Sequence, residues 1–390
     1  MHEKPTEFPF SVNILPSIGW IGYLGFLAQL PWAMVLVYLA LIQEMAGGGS
    51  FSFAVGIAMG VACNVVRFLV IWVGRRFSFF TRIVLGAICS AFFTFGYFVL
   101  SLSVQSPLLG FWLGLMVALL GGCGNALVMS TGYAISSIVS RDRPRANTFF
   151  FFGQAVAAAL CWPTKALIEQ LFSRSELAQL GAGMTLVSLL SLSAIPVFKW
   201  RIAVVSEETT RKVGLREALG VVRQASLPLA ALWVIYFSTG FVSPGQIMHW
   251  PLPSEPSSSK LLTDPKLYKS LCTYTFLLAD AVGKALPLVV RNVSSFLGKS
   301  RTASLLILVL VTARLSLVPL FFFPPDVVSV RFILLVCFGL LSGSAASLSI
   351  SLASFRALDQ ADIAGYLTSF AIINGIFMGS VAGMLVALVR

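Results

Sequence analysis

Charge is the scarcest ingredient of this sequence. Of its 390 residues only 11% are Asp, Glu, Lys or Arg, while 57% are hydrophobic and the mean hydropathy is +0.90. Soluble domains carry roughly a quarter charged residues, so a soluble globular domain is excluded. Histidine is almost absent: His2 and His249 leave too little for a His-based catalytic or metal centre. The six cysteines (Cys63, Cys89, Cys123, Cys161, Cys272 and Cys337) all fall in apolar stretches without Cys-x-x-Cys spacing, and read as small buried hydrophobes. Gly-x-Ser-x-Gly, Walker and His-Glu-x-x-His patterns are missing as well. Their absence speaks against an enzyme, a metal or cofactor site and an ATP-driven pump. No basic patch interleaved with aromatics accompanies the net charge of +12, so nucleic acid is not an expected partner. Met1 to Phe8 lacks a signal-peptide cleavage pattern, and the first span is expected to stay in the mature protein.

What the chain does have is a series of apolar runs long enough to cross a hydrocarbon core of about 30 Å. Eleven are found, near 17–43, 51–73, 83–104, 108–139, 147–171, 178–198, 227–248, 270–290, 302–323, 330–354 and 363–389. An odd number puts the termini on opposite sides. Most of the 27 Lys and Arg, including Arg75, Arg76 and Arg82, then Arg141, Arg143 and Arg145, fall on the side of the N-terminus. The positive-inside rule therefore makes the N-terminus cytoplasmic and the C-terminus extracellular. The one glycosylation sequon, Asn292-Val-Ser294, then lies inside and is expected to stay unmodified.

The longest inner loop separates six runs from five, which predicts an N-terminal bundle over 1–198, a cytoplasmic linker over 199–226 and a C-terminal bundle over 227–390. With Arg216 and Arg223 among Leu215, Leu219 and Val222, part of that linker is also compatible with an amphipathic helix on the anionic inner leaflet. The Pro- and Ser-rich loop from His249 to Lys269 is expected outside. The fold class is an all-α polytopic membrane protein, eleven helices in a six-plus-five, major-facilitator-like arrangement. Two bundles joined by a loop suit a carrier that rocks about a central site.

Charges inside spans are costly and tend to mark a pathway. Asp280 and Lys284 are four residues apart in the eighth run, on one face of one helix. This is where a solute is expected; a purely structural ion pair is the other reading. Arg314 in the ninth run falls at a similar depth and is placed to compensate Asp280. Gln29 and Trp32 in the first run, and Asn374 in the eleventh, are polar or amphipathic side chains that fit either a solute or an interhelical contact. Arg67 is expected to snorkel to the inner surface and the Lys165/Glu169 pair to sit at an outer rim. Arg356, Asp359 and Asp362 belong to an inner loop, solvated or gating.

Several spans together resemble one family. Leu24-Gly25 with Leu30-Pro31-Trp32, Gly153-Gln154, Asp280-Ala-Val-Gly283-Lys284, Ala313-Arg314-Leu315 with Val318-Pro319-Leu320, and Ala364-Gly365 with Gly375 and Gly379 look like the equilibrative nucleoside transporters, over essentially the whole chain. The resemblance implies a carrier of nucleosides or nucleobases in the plasma membrane, facilitated or proton-coupled, with membrane lipid as its surroundings. It also implies a site drawn from Trp32, Asp280, Lys284, Gln29, Gln154, Arg314 and Asn374. A nucleoside site needs a flat apolar slot for the base, which Trp32 offers, and charge-assisted bonds to ribose, which Asp280 offers. The chain departs from the pattern at Lys284, where the family usually has Arg, and at Ala33, where it has a polar residue. Lysine lacks the bidentate fork, so looser ribose recognition or another substrate range is expected. The alternatives are a major-facilitator-like carrier of a sugar or similar polar solute and, from another class, a membrane scaffold or intramembrane enzyme.

Overall fold

The computed structural model describes residues 19–46, 51–72, 77–103, 106–140, 143, 145–173, 175–199, 215–242, 246–247, 250–252, 264–289 and 297–389. The sequon at Asn292, the two histidines and most of the Pro/Ser-rich loop lie outside them. Among the described residues all regular structure is helical.

Each of the eleven apolar runs forms a helix. They are α1 (Gly19–Ala46), α2 (Phe51–Trp72), α3 (Phe79–Ser103), α4 (Pro107–Val139), α5 (Ala146–Leu171) and α6 (Glu176–Leu192). After α7 (Leu215–Gln224) follow α8 (Ser226–Phe241), α9 (Pro265–Val289), α10 (Ser300–Leu317), α11 (Val328–Arg356) and α12 (Ala361–Val389). Local chemistry sets several ends. Pro107 opens α4 at a position where its missing N–H costs nothing. The Ser175 side chain caps α6 by accepting from the Ala178 N–H at 3.2 Å. Pro319 interrupts α10, which resumes as a short turn over Pro319–Phe322.

Residues Leu215–Gln224 of the linker form α7, which meets α8 at an angle of 79°. Val221 of α7 is buried against Ala357, Ile363 and Ala364, while Arg216, Leu219 and Arg223 face outward. The helix is therefore docked on α12 through its buried face.

Helix contacts fall into two groups. In one, α1 packs on α4, α5 and α6, and α4 on α2 and α3; in the other, α9 packs on α11, α8 on α12, and α10 on α11. The groups meet where α5 faces α9 and where α12 faces α2 and α4. Small residues bring the helix axes close. A methyl on Gly25 would collide with the Phe150 carbonyl, and one on Gly343 with the Asp280 carbonyl. Large apolar side chains such as Phe92, Leu108, Trp112, Leu305 and Ile333 point out of the bundle, more than half exposed or nearly so. Long apolar helices with such a girdle make this an integral, multi-pass membrane protein.

Candidate substrate site

In α9 the helical repeat stacks Asp280 above Lys284, and the structure closes them into an ion pair of 2.5 Å. Both residues are 9% exposed. Gly339 and Gly343 of α11 abut the α9 backbone at Asp280, Gly283 and Lys284, fixing that stretch of helix against a rigid neighbour. Across the boundary between the two groups, the Lys284 ammonium lies 4.5 Å from the ring centroid of Phe151 on α5. The ammonium is thus shared between a carboxylate and an aromatic face. The pair stands at the seam, with its charges balanced within one helix.

Arg314 is 1% exposed. It does not salt-bridge Asp280: its guanidinium donates to the Ile235 carbonyl at 2.5 Å, to Thr239 Oγ1 at 2.7 Å and to the Ser238 hydroxyl, and lies 4.0 Å over the Phe338 ring. It ties α10 to α8 and α11. Gln154 is buried and exchanges hydrogen bonds of 3.3 and 3.4 Å with the Tyr133 hydroxyl, an α5–α4 link. Tyr133 in turn stands edge-on to Phe150 at 4.9 Å.

The remaining candidates have other neighbours. Trp32 is half-buried on an apolar cluster with Leu30, Ala33 and Met34, against which Leu277 of α9 and Ile373 of α12 also pack. Gln29 is half-buried. Asn374 accepts from the Trp233 indole N–H at 2.8 Å, an interhelical bond between α12 and α8. The Lys165–Glu169 pair is 3.5 Å apart, with its carboxylate side chain 45% exposed. Arg356 closes α11 and donates to Ser300 and Ser304 of α10 at 2.8 and 2.7 Å.

Arg67 overturns its expectation. It is 2% exposed and does not snorkel; it donates to the Ser369 carbonyl of α12 at 2.5 Å and to Asn125 Oδ1 of α4 at 3.2 Å. It therefore bridges the groups, as do Arg82, read from the sequence only as an inner-side cation, and residues that sequence reasoning passed over. Arg82 of α3 donates to the Tyr366 hydroxyl of α12 at 2.5 Å, and Asn147 of α5 donates to Ser354 of α11 at 2.8 Å, with Ser137 of α4 3.1 Å from the same hydroxyl. These bonds cluster towards the end where α3 and α5 begin and α4 ends. Near the opposite end, Trp162 of α5 stacks on Tyr274 of α9 at 5.2 Å. The signal for Arg67 was its place inside an apolar run; for Ser354, Ser137 and Phe151 there was none.

No protein-family model matches the chain and no curated protein matches it in sequence. In three dimensions it is similar to the major facilitator superfamily proton:xylose symporter XylE solved with 6-bromo-6-deoxy-D-glucose. The TM-score is 0.58 and the identity 14%, over 95% of this chain and 94% of that one. The fold is that of the major facilitator superfamily.

Proposed function

We propose that this protein is a carrier that moves nucleosides or nucleobases by alternating access, with Asp280 as the polar anchor of the solute. The observation that supports it most is the position of the Asp280–Lys284 pair: nearly buried, at the seam between two helix groups, against Phe151 of the other group. A seam of this kind opens to one side and then the other as the bundles rock. The carboxylate accepts from ribose hydroxyls, the ammonium donates to the same sugar or to a base carbonyl, and half-buried Trp32 offers a face for the base. The motifs that resemble equilibrative nucleoside transporters point to the same solute. A plasma-membrane location and an N-terminus inside, C-terminus outside topology belong to this reading.

A sugar is the second reading, because the symporter of similar fold was solved with a hexose analogue. Hexose and ribose share the hydroxyls that a carboxylate recognises; only the base separates them. Uptake of labelled uridine, adenine and glucose into liposomes holding the purified protein decides. Saturable uridine uptake, competed by adenine and not by glucose, is the expected result. Glucose uptake alone would transfer the site to sugars, and no flux of any solute would remove the carrier reading.

A further inference from the structure

The buried side chains are unequal in charge. Among the described residues Arg67, Arg82, Lys284, Arg314 and Arg331 are all at most 9% exposed, and Asp280 is the sole carboxylate that joins them. Lys284 already takes that carboxylate. Arg82 and Arg331 lie close to helix ends, and Arg331 has Asp326 at 3.9 Å. Arg67 lies within α2, and Arg314 stands in the last turn of α10, just before Pro319. They are held by neutral acceptors alone: the Ser369 carbonyl and Asn125 amide for Arg67, the Ile235 carbonyl and two hydroxyls for Arg314. Each also leaves its Nε–H without an acceptor.

Neutral acceptors solvate a cation without cancelling its charge. In a low-dielectric interior an uncancelled positive excess repels cations, leaves neutral solutes largely unaffected and attracts anions. Arg67 lies at the seam itself, where it crosses to the Ser369 carbonyl of α12, and Arg314 lies within the C-terminal group beside α8 and α11. We infer that the solute itself is an anion, a nucleoside or nucleobase bearing a phosphate or carboxylate, and that it supplies the counter-charge the buried guanidiniums lack. The inference rests on the seam being the solute path. Asp280 and Lys284 then grip hydroxyls and base, while Arg67 and Arg314 set the sign of what enters.

The test crosses ring type with charge. Purified full-length protein in liposomes of neutral lipid is offered labelled uridine, uridine 5′-monophosphate, glucose and glucose 6-phosphate. Uridine 5′-monophosphate is expected to enter at least tenfold faster than uridine. Equal or faster entry of the neutral member of each pair, or no entry of either charged compound, overturns the inference. Entry of glucose 6-phosphate over glucose with neither uridine compound carried keeps the charge assignment and removes the nucleoside reading. Arg67→Gln is expected to lower the charged-to-neutral ratio and Arg67→Lys to preserve it. Being a ratio, this readout does not depend on how much protein folds. An unchanged ratio in Arg67→Gln would take Arg67 out of the inference.

Discussion

The two seams between the helix groups bury charge in opposite ways. Where α5 meets α9, both signs are on one helix: Asp280 and Lys284 neutralise each other within a turn, and the other group contributes the faces of Phe151 and Trp162. Where α12 meets α2 and α4, the charge has one sign and its hydrogen bonds cross between groups, from Arg67 to the Ser369 carbonyl, with Arg82 to Tyr366 beside it. The first arrangement survives separation of the bundles; the second does not. An intrahelical pair is thus suited to hold a solute through the whole cycle, and interbundle bonds are suited to latch one end of it.

The comparison breaks first if the latch does not open. A Ser137→Cys/Ser354→Cys double variant places two thiols where hydroxyls now lie 3.1 Å apart. Oxidative cross-linking is expected to stop uptake completely, and reduction to restore it. Transport that continues in the cross-linked protein would mean that this end never parts.

Asp280→Asn comes next in size. Loss of charge-assisted bonding to two ribose hydroxyls is worth about 2–3 kcal/mol, or roughly 30- to 150-fold in uptake. It also strands Lys284, and an unpaired buried charge destabilises by about 3–5 kcal/mol. Asp280→Asn with Lys284→Gln separates the two effects: melting temperature in detergent is expected to recover and uptake is not. Near wild-type uptake in the double variant would make the pair structural and move the solute elsewhere.

A smaller effect sharpens the role of the ammonium. Lys284→Ala is expected to lower nucleoside uptake by severalfold more than nucleobase uptake, because a base has no ribose to lose. Equal losses, measured side by side at matched surface expression, would leave Lys284 with packing on Phe151 alone.

The smallest effect tests the wall behind the pair. Gly343→Ala drives a methyl into the Asp280 carbonyl and is expected to cost about 1–3 kcal/mol, as overpacking does. Gly56, which has no atom within 4 Å of an added methyl, is the control, and Gly56→Ala should leave the melting temperature unchanged or slightly raised. Equal melting shifts in the two variants would deny α11 its role in fixing α9.

Much of the site was legible, and the reason is local. Asp280 and Lys284 are partners because residues four apart on a helix overlap, whatever surrounds them. Asn374 was open between solute and interhelical contact, and Trp233, 141 positions away, answers with a 2.8 Å bond. The glycines that carried the family resemblance have a second meaning that spacing alone does not disclose. Gly25, Gly153, Gly283, Gly365, Gly375 and Gly379 each lie against the backbone of another helix, at Phe150, Gly22, Leu340, Tyr133, Trp233 and Phe237 in turn. Those motifs are therefore helix contacts before they are anything else.

By itself the sequence determined the class of molecule, its apolar helices and the pairing of Asp280 with Lys284, since hydropathy and the helical repeat are properties of neighbouring residues. Only the tertiary structure decided that Arg67 is buried rather than snorkelling, that Phe151 receives the Lys284 ammonium, and that Ser354 joins Asn147 and Ser137 across the seam. Those outcomes depend on which helix faces meet. In a bundle whose helices are apolar all round, that choice is made by close packing of small residues and by buried hydrogen bonds between distant positions, which leave no period in the chain.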